Sequence, residues 1–110
     1  MLFQLSRQYD EKEKRLILKP KGELDITSTP EFKKIGEREY NKYKTDILID
    51  AQDLVYMDST GLGAFIYLLK LCKGEDHKIS IVNMKKSIRK LFTITKLDDF
   101  FTFEGEENEG

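Results

Sequence analysis

Apolar and polar residues alternate at the amino-terminal end of the chain in a way that predicts a β-hairpin. Phe3, Leu5 and Tyr9 are separated by polar residues, which is the pattern of a half-buried strand. A charged turn over residues 10–13 follows, and residues 15–19 then read as a second strand. Two short strands joined by a charged turn predict a hairpin.

Continuous apolar runs predict strands that lie inside a sheet. Residues 46–50 hold three apolar side chains in a row and are rich in β-branched residues, as in a strand buried on both faces. Residues 54–57 form a second small apolar patch, and residues 78–82 predict another strand. The last ordered piece, residues 97–103, carries three phenylalanines and is expected to fold back on the core.

Three segments have the pattern of helices. The first begins at Thr29, a hydroxyl cap placed before Pro30 in the first turn. The second, residues 62–72, is apolar nearly all round, so it is either deeply buried or presents one apolar face to a partner. The third is amphipathic, with apolar positions at Met84, Ile88, Leu91 and Phe92. This order predicts an α/β fold: a mixed β-sheet that opens with a hairpin and has helices packed against it.

Size and charge narrow the class of protein. A chain of 110 residues fits one domain, and 39% hydrophobic residues can form a core. The net charge of −1 argues against a general nucleic-acid or membrane-surface binder. No apolar run approaches the ~20 residues of a membrane span. The start lacks a signal pattern and Cys72 is the single cysteine, so we expect a cytoplasmic protein.

The composition changes only at the carboxyl-terminal end. Residues 104–110 contain four acids and no apolar side chain, so this segment is expected to remain solvated and mobile. We therefore divide the chain into one domain over residues 1–103 and an acidic tail over residues 104–110.

Residues 56–65, Tyr-Met-Asp-Ser-Thr-Gly-Leu-Gly-Ala-Phe, carry the candidate chemistry. Ser59 is a poor candidate for a hydrolytic nucleophile, because Met57 occupies a glycine position of the nucleophile elbow and the single histidine, His77, lies in a distant polar turn. Gly61 and Gly63 could begin a dinucleotide fingerprint, but its third glycine is replaced by Ile66. A P-loop is absent from the sequence.

Two charged sets have ordinary structural explanations. Four aspartates could suggest a magnesium-dependent phospho-acceptor site: Asp46, Asp50, Asp53 and Asp58. The first strand lacks the acidic pair that such a site needs. Positions at the solvated ends of strands explain these aspartates instead. Four cations form a basic face on the third helix, which favours solubility over binding: Lys85, Lys86, Arg89 and Lys90.

Ser59 is also a candidate for modification. A phosphate at the first turn of a helix would be stabilised by free backbone N–H groups and the helix dipole, and it would add about −1.5 to −2 charge beside Asp58. The alternative is a simple N-cap at Asp58, Ser59 or Thr60, with Gly61 and Gly63 serving close packing. The residues alone leave both interpretations open.

Several segments together resemble one known family. They are residues 22–25 (Gly-Glu-Leu-Asp), 47–50 (Ile-Leu-Ile-Asp) and above all 57–63 (Met-Asp-Ser-Thr-Gly-Leu-Gly), supported by residues 88–92 and 95–97. With these motifs the chain resembles the anti-sigma factor antagonists, the STAS-domain family of bacterial partner-switching systems. The resemblance extends from Phe3 to about Phe103.

The resemblance implies a binding protein and not an enzyme. Single-domain members of the family bind an anti-sigma factor that is itself a serine kinase, and so displace the sigma factor. The kinase then phosphorylates the serine that corresponds to Ser59, and the antagonist dissociates until a metal-dependent serine/threonine phosphatase restores it. ATP and magnesium belong to the kinase, so the resemblance implies no cofactor and no metal in this chain.

The same resemblance suggests which residues surround the phosphorylation site Ser59. The partner-binding candidates are Asp25, Asp58, Thr60, Gly61, Leu62 and Gly63. We expect a monomer or weak dimer without direct contacts to nucleic acid or membrane. The alternative is a scaffold STAS module of a larger stress-signalling or transport assembly.

Overall fold

The strands of the computed structural model, which describes residues 2–105, form one mixed six-stranded sheet. In chain order the elements are β1 (Gln4–Asp10), β2 (Arg15–Leu24), α1 (Thr29–Tyr43), β3 (Asp46–Asp50), β4 (Leu54–Met57), α2 (Ser59–Gly74), β5 (Ile79–Val82), α3 (Lys86–Ile94), a 3₁₀ turn (Asp98–Phe100) and β6 (Thr102–Phe103). The predicted α/β fold, with an opening hairpin and helices packed on a mixed sheet, is confirmed.

The sheet is parallel except for its first strand. β1 pairs antiparallel with β2, and the order continues through β3, β5 and β6 in parallel. β4 pairs in parallel with the last part of β2, from Gly22 to Leu24. The register shifts between Gly22 and Glu23, and Gly22 has φ 108°, a backbone conformation that favours glycine.

The core lies where one face of the sheet meets the helices. The pairing registers align Leu16 with Ile47 and Ile79 in one row of fully buried side chains. Two residues further along each strand, Leu18, Ile49 and Ile81 form a second such row. Phe65 of α2 packs on these layers and contacts Phe32 of α1 with ring centroids 5.5 Å apart. The hydrophobic effect of this shared burial holds the two helices on the sheet.

The apolar segments behave as their patterns predict. Ile47, Leu48 and Ile49 are all buried, which confirms a strand covered on both faces. α2 is the most apolar α-helix and begins at Ser59, three residues earlier than its apolar run. Within residues 2–105, no helix combines the length and the hydrophobicity that crossing a membrane requires.

The predicted cap of α1 is wrong. Thr29 is the first helical residue and Ser28 is the N-cap, and neither side chain bonds a helix N–H group. The Ser28 hydroxyl instead accepts from the Asp25 N–H group at 3.0 Å and donates to the Glu23 carbonyl at 2.6 Å, so bonds within the preceding turn replace the helix cap. The Thr29 hydroxyl is buried and has no hydrogen-bond partner within residues 2–105.

The acidic tail does not begin where the composition changes. The Glu104 N–H donates to the Ile81 carbonyl at 3.0 Å, and Nη1 of Arg15 lies 3.3 Å from the Glu104 carboxylate. Glu104 is therefore attached to the sheet and only partly solvated, and the tail as a whole stays a prediction. Residues 106–110 of the predicted tail lie outside the described residues.

The unpaired Thr29 hydroxyl leads to a prediction about stability. Thr29→Val keeps the shape of the side chain but removes a buried group whose desolvation costs about 1–3 kcal/mol. We expect the free energy of unfolding in urea to rise by about 1 kcal/mol. Thr29→Ser is the control, because it keeps the hydroxyl and loses a buried methyl group. A loss of stability in Thr29→Val would show that the hydroxyl is hydrogen-bonded after all.

Candidate functional site

The ends of two parallel strands bring the candidate residues together. Leu24 at the end of β2 pairs with Met57 at the end of β4, and the Asp58 N–H donates to the Leu24 carbonyl at 3.3 Å. Since the chain leaves both strands at the same edge of the sheet, the turn that begins at Asp25 lies beside the first turn of α2. The structure thus places two separate sequence motifs at one site.

Asp58 is the N-cap of α2. Its Oδ1 atom accepts hydrogen bonds from the N–H groups of Thr60 at 2.9 Å and Gly61 at 3.2 Å. Its backbone is extended, with φ −107° and ψ −170°, as an N-cap residue requires. Among the three cap candidates left open by the sequence, the structure selects Asp58. Two of the N–H groups that we expected to be free for a phosphate are therefore already bonded.

Ser59 is the first residue of the helix and is exposed, as is Thr60 beside it. The backbone holds this turn firmly, because the Leu62 N–H donates to the Asp58 carbonyl at 3.0 Å. A hydroxyl presented on a rigid, exposed turn can be reached by the active site of another protein.

The two glycines of the motif have different roles. A Cβ atom on Gly61 would lie 2.7 Å from Cγ of Met57 and 2.8 Å from the Leu24 carbonyl oxygen, so only glycine lets the helix approach the strands this closely. A Cβ atom on Gly63 would meet nothing within 4 Å. Gly63 is exposed and lies one helical turn after Ser59. Because it has no side chain, nothing projects from the surface at this position.

Asp25 has a structural role that the sequence did not reveal. Its Oδ1 atom accepts from the N–H groups of Thr27 at 3.0 Å and Ser28 at 3.2 Å, and the Ser28 hydroxyl lies 3.3 Å away. The backbone hydrogen bonds from Ser28 and Thr27 hold the pKa of the Asp25 carboxyl below its usual range. Asp25 is thus the residue that closes the turn between β2 and α1.

The turn closed by Asp25 presents a residue that sequence reasoning missed. Ile26 is 75% exposed and lines an open hollow together with Thr29, Pro30, Lys33 and Thr60. The only sequence signal was an isoleucine between two turn-forming residues, where the strand pattern has already ended.

The predicted partner-binding residues divide into two groups. Asp25, Asp58, Thr60 and Gly63 lie at least partly on the surface, whereas the Leu62 side chain is 5% exposed and packs in the core. Gly61 is buried as well. Leu62 and Gly61 therefore shape the start of the helix and offer a partner very little surface.

Other candidate chemistry lies away from Ser59. His77 follows the far end of α2, a helix of 16 residues and therefore about 24 Å long, so its imidazole cannot serve Ser59 as a base. Its Nδ1 atom is instead 2.7 Å from the hydroxyl of Tyr40. Burial raises the pKa of the Cys72 thiol to about 12, which keeps it protonated and unreactive.

The aspartates at the strand ends serve the fold. Asp46 accepts from the Lys78 N–H at 3.0 Å, and Asp50 accepts from the Asn83 side chain at 3.1 Å and lies 3.8 Å from the Lys19 ammonium group. In the part of the chain that the structure describes, no three histidine, cysteine or acidic residues are grouped so that they could hold a metal ion.

Comparison with known proteins identifies clear relatives. A family model described as the STAS domain matches residues 6–110. The chain is also similar to an anti-sigma-B factor antagonist of Staphylococcus aureus (strain NCTC 8325 / PS 47), with 36% identity over 89 residues that cover 80% of this chain and 82% of the relative.

Two solved structures share the fold. An anti-sigma factor antagonist from Mycobacterium paratuberculosis has a TM-score of 0.83 at 15% identity, covering 98% of this chain and 90% of that chain. The phosphorylated form of the Bacillus cell fate determinant SpoIIAA has a TM-score of 0.70 at 20% identity, covering 96% of this chain and 93% of that chain. At such identities the two structures show a common fold alone.

The two glycines should respond in opposite ways to the same substitution. Gly61→Ala forces a Cβ atom against the Leu24 carbonyl, and we expect the free energy of unfolding to fall by about 1–3 kcal/mol. Gly63→Ala adds a methyl group on an open helix face, and we expect a gain of about 0.5–1 kcal/mol from its higher helix propensity. Urea unfolding of both variants measures the difference. Equal effects of the two substitutions would contradict the close approach at Gly61.

The cap at Asp58 gives a second prediction for this site. Asp58→Ala removes the acceptor of two N–H groups, and we expect the free energy of unfolding to fall by about 1 kcal/mol. Asp58→Asn keeps an oxygen in the same place and should cost much less, because asparagine caps helices as well as aspartate does. Thermal unfolding followed by circular dichroism compares the two. An equal loss in both variants would mean that the charge, and not the hydrogen bonds, stabilises the helix start.

Proposed function

The chain belongs to the STAS domain family, and we propose that it is an anti-sigma factor antagonist that binds an anti-sigma factor with serine kinase activity, releases the sigma factor and is switched off by phosphorylation of Ser59. The observation that carries the proposal is the exposed Ser59, held at the first position of α2 beside the turn closed by Asp25. The name of the Staphylococcus aureus relative supports the regulatory role.

Access to the Ser59 hydroxyl supports a role as a kinase substrate. A kinase must bring the γ-phosphate of ATP in line with the hydroxyl oxygen, so bulky neighbours would obstruct it. The surface one turn further along α2 is the open face of Gly63. ATP and magnesium are supplied by the kinase, and this chain acts as the substrate and not as an enzyme.

The effect of phosphorylation follows from the cap. Because the N–H groups of Thr60 and Gly61 are bonded to Asp58, these two groups are not free to bind the new phosphate. It adds about −1.5 to −2 charge next to the Asp58 carboxylate and to a neighbouring turn that carries Asp25. Unfavourable charge at an interface can cost about 2–5 kcal/mol, which is enough to separate two partners.

The remaining parts of the cycle lie in other proteins. A metal-dependent serine phosphatase would remove the phosphate and return the antagonist to its binding form. The positions that lie at least partly on the surface, Asp25, Asp58, Thr60 and Gly63, would face the kinase. We expect this exchange to run in the cytoplasm, with the antagonist acting as a monomer or weak dimer.

A phosphorylation assay tests the site directly. The purified protein is incubated with ATP, magnesium and each anti-sigma factor kinase of its own host, and mass spectrometry then locates the phosphate. We expect one phosphate on Ser59. Phosphate on Thr60, or none with any of these kinases, would overturn the assignment.

Substitutions of Ser59 test the switch. We expect Ser59→Ala to bind the kinase and to remain bound in the presence of ATP, because it cannot be phosphorylated. Ser59→Asp should bind at least about tenfold more weakly, because it carries a negative charge at the contact. Ser87→Asp is the matched control, since Ser87 is an exposed serine in the first turn of another helix, α3. Binding of Ser59→Asp as tight as that of the unmodified protein would contradict a charge-based switch.

A further inference from the structure

Ile26 is an exposed isoleucine beside the phosphorylation site, and nothing in residues 2–105 covers it. It is 75% exposed, although an aliphatic side chain is normally driven into the core. One exposed residue is not unusual in itself. Ile26 is distinguished by the hydrogen bonds that hold the backbone of its turn in place.

The turn around Ile26 is fixed by hydrogen bonds on both of its sides. Asp25 Oδ1 accepts from the N–H groups of Thr27 and Ser28, and the Ser28 hydroxyl accepts from the Asp25 N–H at 3.0 Å while donating to the Glu23 carbonyl. The Thr29 N–H also donates to the Asp25 carbonyl at 2.9 Å. The backbone of Ile26 is therefore held in one conformation before any partner binds, which reduces the entropy lost on binding.

Ile26 lies within the area that a kinase must cover. It lines the same hollow as Thr60, the residue directly after Ser59. A specific interface covers about 800 Å² on each partner, a patch about 30 Å across. The protein itself measures 34 × 32 × 23 Å, so a kinase centred on Ser59 would also cover the hollow.

Lys33 gives this hollow a positive charge next to its apolar wall. Its Nζ atom lies 4.5 Å from the centre of the Tyr67 ring, and Lys33 forms no ion pair with any other residue in the range 2–105. The two carboxylates of the site, Asp25 and Asp58, each accept backbone N–H groups of their own turns. Because Lys33 has no ion pair within residues 2–105, its ammonium group is available to an acidic group of a partner.

We propose that Ile26 is the docking anchor for the anti-sigma factor kinase: it inserts into an apolar pocket on the kinase that has a carboxylate at its rim, which pairs with Lys33. The inference rests on the proposed function, since it names the surface by which the kinase holds its substrate. Ile26 acts in docking and takes no part in phosphate transfer. Removing the Ile26 side chain must therefore weaken binding without slowing phosphate transfer within the bound complex.

The test compares Ile26→Ala with a matched exposed isoleucine. Ile94, at the end of α3, is 72% exposed and serves as the control. The affinity for the host kinase that phosphorylates the wild-type protein is measured by calorimetry without ATP. We expect Ile26→Ala to raise the Kd about tenfold or more, because burial of a full aliphatic side chain is lost. Ile94→Ala should leave the Kd unchanged.

Steady-state phosphorylation of Ser59 supplies the second measurement. We expect Ile26→Ala to raise KM with kcat unchanged and Ile26→Met to recover most of the loss. Lys33→Glu should raise KM further than Lys96→Glu, the control at an exposed lysine just after α3. A fall in kcat at constant KM would overturn the docking role and place Ile26 in the chemical step. Melting curves of all variants verify that the fold is intact.

The outcomes separate the docking proposal from the proposed function. If the wild-type protein is bound and phosphorylated on Ser59 while Ile26→Ala binds equally well, the anchor is overturned and the function stands. Equal losses in Ile26→Ala and Ile94→Ala would also overturn the anchor. If none of the host's anti-sigma factor kinases binds the wild-type protein, both proposals fail.

Discussion

The close approach of α2 to the end of β2 is the contact on which the site depends. Gly61 permits it, since any side chain there would meet the Leu24 carbonyl and Met57. The same approach lets the Asp58 N–H group donate a hydrogen bond to the Leu24 carbonyl, which joins the end of β2 to the helix start. Because the turn closed by Asp25 begins at the next residue, this single contact turns two distant segments of sequence into one surface around Ser59.

Local patterns were sufficient for most of the fold. The hairpin, the buried strand over residues 46–50 and the apolar α2 all follow from the spacing of apolar residues. The predicted Thr29 cap is wrong, because Thr29 already lies inside the helix, and the Ser28 hydroxyl at the N-cap accepts from the Asp25 N–H group instead of a helix N–H group. Spacing indicates where an element lies, whereas the partner of each polar group depends on what the fold brings near it.

The details of the candidate site depended on such partners. The motif over residues 57–63 indicated where chemistry would occur, but three residues could equally have capped the helix, and only the geometry identifies Asp58. Asp25 was expected to serve a partner, and its carboxylate proves to close a turn that exposes Ile26. Arg15 and Glu104 are separated by 89 residues, a distance over which no periodicity in the sequence could have paired them.

The cap at Asp58 also determines what kind of signal a phosphate on Ser59 would be. With the N–H groups of Thr60 and Gly61 bonded to Asp58, a phosphate there would act through its field more than through bonds to these two groups. Fields between exposed charges decay over a Debye length, about 8 Å at physiological ionic strength and about 3 Å at 1 M salt. If Ser59 is phosphorylated as proposed, a cell that loses water and concentrates its ions would therefore weaken a partner's discrimination between the phosphorylated and unphosphorylated forms without altering a single contact.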